Sequence, residues 1–201
     1  LVGSEMCIRD RHLTGVTLPE PERSILKRVI HTTADFDYTE NLCFSENAVS
    51  SALEALQRGA HIVTDTNMAL SGINKRSLHG LGCEAYCFMS DADVAEEARV
   101  RGVTRAMVSM EKACWLDGDL IFAVGNAPTA LIQLDELIRA GKLLPKLIIG
   151  VPVGFVNVVE AKELIMAQEQ VPYIVAKGRK GGSNIAAAIC NALIYSLVDR
   201  G

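Results

Sequence analysis

The sequence predicts an α/β fold of three α/β/α layers with a mostly parallel central sheet, in the Rossmann-like class. Three apolar runs of strand length, at residues 120–124, 147–149 and 173–175, are each followed by a glycine-containing turn and a helical pattern. Strands that are apolar throughout and alternate with helices are typical of parallel sheets covered on both faces. The chain contains no linker-like stretch, so we expect a single domain over residues 12–201.

Hydrophobic periodicity and capping residues predict the remaining elements in order. An amphipathic helix ends at His31, and a second helix covers residues 46–58 between the cap Ser45 and the stop signal Gly59. The other predicted elements are strands over 61–64 and 84–89 and helices over 92–101, 104–116, 128–140, 158–168 and 183–198.

The composition is that of a folded domain and gives little support for nucleic-acid binding. Hydrophobic residues make up 49% of the chain and charged residues 22%, so disorder is not expected. The formal net charge is −4 and the basic residues form no extended stripe, which argues against nucleic acid as a partner. No apolar run reaches the roughly 20 residues that span a bilayer, so no membrane partner is predicted.

Cysteine usage points to a reducing compartment. Six cysteines are scattered through segments that read as core or helix, and no secretory signal precedes them, which predicts reduced thiols and a cytoplasmic location. The close pair Cys83 and Cys87 lacks a second pair at zinc-site spacing, so no metal site is predicted. Residues 1–11 show neither helical nor strand periodicity and are expected to be a non-native or disordered leader.

The run over residues 28–38 has the composition of a proton-transfer site. His31 ends the first helix and is followed by two threonines, Asp35, an aromatic residue, Asp37 and Tyr38. Histidine side chains titrate close to neutral pH, and neighbouring acids or hydroxyls fix the tautomer or the charge of the imidazole. On the local run alone, a histidine that merely caps a helix C-terminus is an equally good interpretation.

Two turns that follow predicted strands and open helices read as anion sites. In the first, Pro128 begins a helix and leaves Asn126 and Thr129 close to N–H groups without intrahelical partners. The second, at residues 178–183, adds Arg179 and Lys180 to a pair of glycines, and we expect both cations to bind a ligand carboxylate. Neither turn has the spacing of a Walker loop or of a dinucleotide fingerprint, which argues against a nucleotide-binding enzyme.

Four blocks in order, at residues 31–38, 124–131, 150–156 and 178–183, resemble the signature blocks of the precorrin-8X methylmutase family. The resemblance runs from about residue 18 to the C-terminus. It implies an isomerase of cobalamin biosynthesis that moves a methyl group from C-11 to C-12 of (cobalt-)precorrin-8 to give (cob/hydrogeno)byrinic acid. Such a rearrangement needs no cofactor. The Thr-Thr-Ala-Asp-Phe-Asp-Tyr form of the first block resembles the cobalt-dependent branch. For Gly150 and Gly154 taken alone, tight strand-to-helix turns that need positive φ are the favoured interpretation.

The resemblance also implies a polycarboxylate corrinoid as the ligand and His31 as the catalytic proton donor, with Asp35 or Asp37 orienting the imidazole. Met68, Leu70, Ile73 and Phe155 are expected to line the face of the ring, although ordinary core packing explains the aliphatic positions equally well. The substrate-binding residues that we predict are Arg28, Asp35, Asn67, Met68, Arg105, Asn126, Thr129, Phe155, Arg179, Gly182 and Ser183.

The resemblance further implies a homodimer, with Arg105 and the region around Asn67 near the subunit boundary. A second class of function remains open at this point. A non-catalytic corrinoid-binding or carrier protein would keep the anion sites and would have no need of His31.

Overall fold

The computed structural model describes residue 15 and residues 17–198. The leader predicted at residues 1–11 lies outside the described residues. Within them, the elements are α1 (Glu22–Thr33), α2 (Tyr38–Asn41), β1 (Leu42–Phe44), α3 (Ala48–Gln57), β2 (His61–Thr64), α4 (Asn67–Gly72), α5 (Lys75–Gly80), β3 (Ala85–Tyr86), α6 (Ala92–Arg101), α7 (Arg105–Ala113), β4 (Leu120–Val124), α8 (Pro128–Arg139), β5 (Leu147–Gly150), α9 (Val158–Met166), β6 (Tyr173–Ala176) and α10 (Ser183–Tyr195).

One six-stranded sheet with the order β1-β6-β5-β4-β2-β3 forms the middle layer. The strands β6, β5, β4, β2 and β3 are parallel, and β1 joins the edge antiparallel to β6. Alternate side chains of one strand enter different cores, because successive residues of a strand point to opposite faces. Ile121 packs with α1, α3 and α10, whereas Phe122 packs with α7, α8 and α9. The predicted three-layer fold with a mostly parallel sheet is confirmed.

Two local predictions were wrong, and one strand was missed. The strand expected over 84–89 is reduced to Ala85–Tyr86. Ser45 does not cap α3, because its Oγ accepts a hydrogen bond from the N–H of Tyr173 at 2.7 Å, and Asn47 stands at the cap position with φ 59°. The short edge strand β1 was not predicted. In the described part of the chain, no helix is both long enough and apolar enough to span a membrane.

Candidate active site

Three of the predicted signature blocks lie at the carboxyl ends of β4, β5 and β6, where parallel sheets bind ligands. The fourth, residues 31–38, is connected to the loop after β6 by ion pairs of Lys180. The turns after β4 and β6 touch each other. A Cβ atom built on Gly125 would lie 2.6 Å from the Cα atom of Ser183, so only glycine lets the two backbones approach this closely. Across the same junction, Ser183 Oγ lies 2.8 Å from Oγ1 of Thr66, which follows β2. Three strand ends are thereby fixed to one another.

The first turn is closed by an acid that the sequence analysis did not single out. Asp65 follows β2 directly and is fully buried, and its carboxylate accepts hydrogen bonds from the N–H groups of Gly125, Asn126 and Ala127 at 2.8, 2.8 and 2.6 Å. Burial raises the pKa of Asp65, while the three N–H donors act against that rise. The expectation of an open anion site at this turn was therefore wrong, because a carboxylate of the protein occupies it.

The second turn is held from two sides. From below, the buried Lys162 of α9 donates hydrogen bonds to the carbonyl oxygens of Gly178 and Lys180 at 2.7 and 2.8 Å. From the side, the N–H of Gly182 donates to Val151 O at 2.9 Å. At Gly182, φ is 147°, and it lies immediately before the first residue of α10. The backbone of this loop is therefore fixed by hydrogen bonds to α9 and to the residue after β5.

Lys180 ties this loop to the segment that follows His31. Its Nζ lies 2.7 Å from Asp35 Oδ2 and 2.5 Å from Asp37 Oδ2. The hydrogen bond from Lys180 lowers the pKa of Asp35, and the two carboxylates raise the pKa of Lys180. Both related expectations need correction. Lys180 binds carboxylates of the protein itself, and the two acids that were expected to orient the imidazole are engaged with Lys180.

Arg179 stands apart from its neighbour. Its guanidinium carbon lies 5.8 Å from the centroid of the Phe155 ring, in cation–π contact. Phe155 is 83% exposed and Val156 is 77% exposed, so the pair sits on an apolar rim open to solvent. The same block of sequence contains two glycines. Gly154 has φ 146°, whereas Gly150 is the last residue of β5, packs against Leu131 and has no positive φ. The positive-φ turn expected at Gly150 was therefore wrong.

A hollow of about 310 Å³ separates the end of α1 from α4 and α10. Its wall includes Arg28 and Thr32 on one side and the 70%-exposed Met68 on the other. The Arg28 guanidinium carbon lies 4.8 Å from the centroid of the Tyr195 ring, which holds the cation at the edge of the hollow. His31 is exposed in the last turn of α1, directly before Thr32. The hydroxyl of Thr32 donates a hydrogen bond to Arg28 O at 2.9 Å within the last turn of α1.

The remaining predicted residues divide into near and distant groups. Near the junction, Asn67 Nδ2 donates to Ser90 Oγ at 2.8 Å, and Thr129 Oγ1 lies 2.9 Å from Thr104 Oγ1. Arg105 begins α7 directly after Thr104 and lines a different hollow beside α6. Ile73 is 3% exposed and belongs to the core, which corrects its expected place on the ring face.

Burial shifts the pKa values of two cysteines and one lysine in opposite directions. Cys83 is buried and its thiol donates to Leu56 O at 3.1 Å. Burial raises the pKa of the Cys83 thiol and raises that of Cys190 to about 12, so neither is a thiolate near neutral pH. Burial lowers the pKa of Lys162 to about 8. Both cysteines are thus core residues, whereas Lys162 is hydrogen-bonded to the loop that contains Arg179.

Comparisons with known proteins identify the family to which the chain belongs. The model of the precorrin-8X methylmutase family matches residues 4–196. The cobalt-precorrin-8 methylmutase of Salmonella typhimurium is 47% identical over 175 residues, covering 87% of this chain and 81% of the relative. That of Leptospira interrogans is 44% identical over 189 residues, covering 90% and 86%. The structure of precorrin-8X methylmutase from Thermus thermophilus matches with a TM-score of 0.80 and 39% identity, over 93% of this chain and 95% of that one. The chain therefore belongs to the precorrin-8X methylmutase family.

Proposed function

We propose that this chain isomerises (cobalt-)precorrin-8 to (cob/hydrogeno)byrinic acid by moving the methyl group from C-11 to C-12 of the ring. Membership of the family supports the reaction, and the open, apolar and cationic rim at the carboxyl ends of the strands supports the ligand. The Met68 and Phe155 side chains offer apolar surface to a ring, while Arg28 and Arg179 offer cations to its carboxylates. Because both curated relatives compared above carry the cobalt name, we propose the cobalt-containing substrate, in which cobalt belongs to the substrate.

The observation that carries this proposal is the tether between two distant parts of the sequence. The ion pairs of Lys180 with Asp35 and Asp37 fasten the segment after His31 to the loop of Arg179. A proton donor and a cation that binds a ring carboxylate are then held at the same end of the sheet. Holding a reactant and a catalytic group in a fixed relation is itself a large part of catalysis.

In the proposed mechanism, His31 donates a proton to a ring carbon or nitrogen and so favours the shifted, more conjugated product. The bond from the methyl group to C-11 breaks as the bond to C-12 forms. Substrate and product are isomers, so the donated proton is returned before the product leaves. A positioned general acid typically contributes about 10²–10⁴-fold, and the fixed orientation of the macrocycle supplies further acceleration.

The test is the His31→Ala variant. We expect isomerisation, followed as a change in visible absorption, to be lost, while the dissociation constant of the product stays within about tenfold, because the imidazole acts mainly in proton transfer. The matched control is His79→Ala, since His79 is also an exposed helical histidine but pairs with Glu84 at 3.2 Å. Near-normal single-turnover rates in His31→Ala would make His31 structural. A wild type that binds the product without turnover would identify a carrier.

We further propose a homodimer that completes the site, working in the cytoplasm. A hollow of 310 Å³ lies at the small end of ligand pockets, about 300–1,000 Å³, so one chain encloses only part of a macrocycle. The exposed Met68, Phe155 and Val156 are apolar surface that a second copy or a ligand would cover. Free thiols among the described cysteines support a reducing compartment. Sedimentation at micromolar concentration is expected to give twice the chain mass, and a strictly monomeric protein with full turnover would exclude a shared site.

A further inference from the structure

Lys162 is a buried cation that faces backbone carbonyls. It lies on α9, its side chain is 1% exposed, and its Nζ donates to two carbonyl oxygens of the loop after β6. Within residues 17–198, no carboxylate lies within ion-pair distance of this Nζ. Burying a charge without a counter-charge is costly, and an apolar residue would fill the same space at lower cost. The position therefore calls for an explanation beyond core packing.

The two acceptors explain the choice, because they flank Arg179. The carbonyls of Gly178 and Lys180 both bind the same ammonium, at 2.7 and 2.8 Å. The carbonyl of Arg179 itself accepts from the N–H of Gly154 at 3.2 Å. Three consecutive carbonyls are thus fixed, and the direction in which the Arg179 side chain leaves the backbone is fixed with them.

The rest of the loop allows little adjustment. A Cβ atom built on Gly181 would lie 2.1 Å from Val151 O, so the backbone here is pressed directly against the end of β5. The ion pairs of Lys180 hold the loop from the solvent side, where water screens them. Lys162 holds the loop from the protein interior, where its hydrogen bonds are shielded from water.

We infer that Lys162 is a positioning residue for substrate binding, which holds Arg179 over Phe155 so that the guanidinium meets a carboxylate of the ligand. The inference rests on the proposed role of Arg179 in binding that carboxylate. Lys162 itself touches no ligand atom in this scheme. Its contribution is to lower the entropy that the loop would lose on binding.

The experiment is a double-mutant cycle on product affinity, with cobyrinic acid, the product of the proposed cobalt-containing substrate, as the probe. We expect Lys162→Met to weaken binding about fivefold to tenfold in the wild type and less than twofold in an Arg179→Gln background, because the two residues act through one interaction. The matched control, Lys142→Met, removes an exposed lysine from the segment before β5, at the opposite end of the strands, and is expected to leave the affinity unchanged. Equal losses in both backgrounds would overturn the inference.

Hydrogen exchange without ligand separates this inference from the proposed function. Lys162→Met is expected to speed exchange over residues 178–182 and to leave β4 protected. Exchange that is equally fast in wild type and variant would overturn the role of Lys162, even if corrinoid binds. Failure of the wild type to bind any corrinoid would instead overturn the proposed function.

Discussion

The turns after β4 and β6 have the same local plan, but they are held by protein groups of opposite charge. Each follows a buried strand, contains glycine and opens a long helix. At the first turn, Asp65 takes the N–H groups of residues 125–127. At the second, Lys162 binds the carbonyl groups, and within residues 17–198 no carboxylate accepts a hydrogen bond from the loop's N–H groups. A carboxylate of the protein therefore takes the N–H groups of the first turn, and among the described residues no carboxylate does so at the second.

The difference lies in which charged residue the neighbouring element supplies. An acid placed under N–H groups satisfies these donors and removes the anion site. A cation placed under carbonyls satisfies the acceptors and supplies no carboxylate to the N–H groups of the loop. A glycine-rich turn before a helix therefore does not by itself indicate a ligand site. Variants that remove each partner test this contrast.

The largest effect is expected at the first turn. Asp65→Ala leaves three N–H groups without their acceptor, and we expect a loss of about 3 kcal/mol or more in the free energy of unfolding, measured with urea. The exposed Asp117 is the control, since Asp117→Ala is expected to change stability by less than about 0.5 kcal/mol. A loss below about 1 kcal/mol in Asp65→Ala would mean that the first turn is not held by this carboxylate.

At the second turn the effect is expected in binding. Arg179→Gln removes one charge-assisted contact, which is worth about 1.5–3 kcal/mol, so the product dissociation constant should rise about tenfold to 100-fold. The unfolding midpoint should not change, because the side chain is exposed. Lys177→Gln, an exposed cation two positions earlier, is the control in the same titration. Unchanged affinity in Arg179→Gln at matched salt would assign the loop a purely structural role.

Alkaline pH gives a third comparison, on stability. Burial lowers the pKa of Lys162 to about 8, below the ordinary lysine value of about 10.4. Between these values the unfolded chain binds more protons than the folded one, so stability from this group rises with pH. Wild type should gain stability relative to Lys162→Met from about pH 8 to pH 10.4 in chemical denaturation. A constant difference across this range would mean that the ammonium is not desolvated.

The smallest effect is expected at the tether. Because its hydrogen bond with Lys180 lowers the pKa of Asp35, the tether contributes above the ordinary Asp value of about 3.9 and is lost as the pH falls through the lower folded value. Lys180→Met should be slightly less stable than wild type at pH 7, and the two should converge below about pH 4. Lys180→Arg keeps the charge and should follow the wild type. A difference that persists in acid would reflect packing rather than charge.

The sequence predicts the fold well, because apolar strands and amphipathic helices are local patterns. The helix over 92–101 agrees with α6 at both ends. The prediction is weaker where partners are distant in sequence. Asp65 and its turn are 60 to 62 residues apart, so nothing local marks the first anion site as occupied. For β1, three residues with a half-buried pattern carry too little periodicity to predict a strand.

The adjacent cations show the same limit within the site. The sequence alone predicts the same role for Arg179 and Lys180, because both stand beside glycines at the start of a helix. Their roles separate through partners elsewhere in the chain, Phe155 for the first and Asp35 and Asp37 for the second. An acid directly after the buried strand β2 was the available signal for Asp65, since such residues reach the carboxyl edge of the sheet.

Because β1 pairs with β6, the N-terminal part of the fold can be completed only late in synthesis. Leu42 pairs with Ala176, and Asp35 meets a lysine 145 residues further on. The segment that carries His31 leaves the ribosome early and has no place to dock until almost the whole chain has been made. Ribosome-bound chains truncated before residue 173 therefore lack the partner for β1, so catalytic competence appears at the end of translation while the middle strands pair earlier.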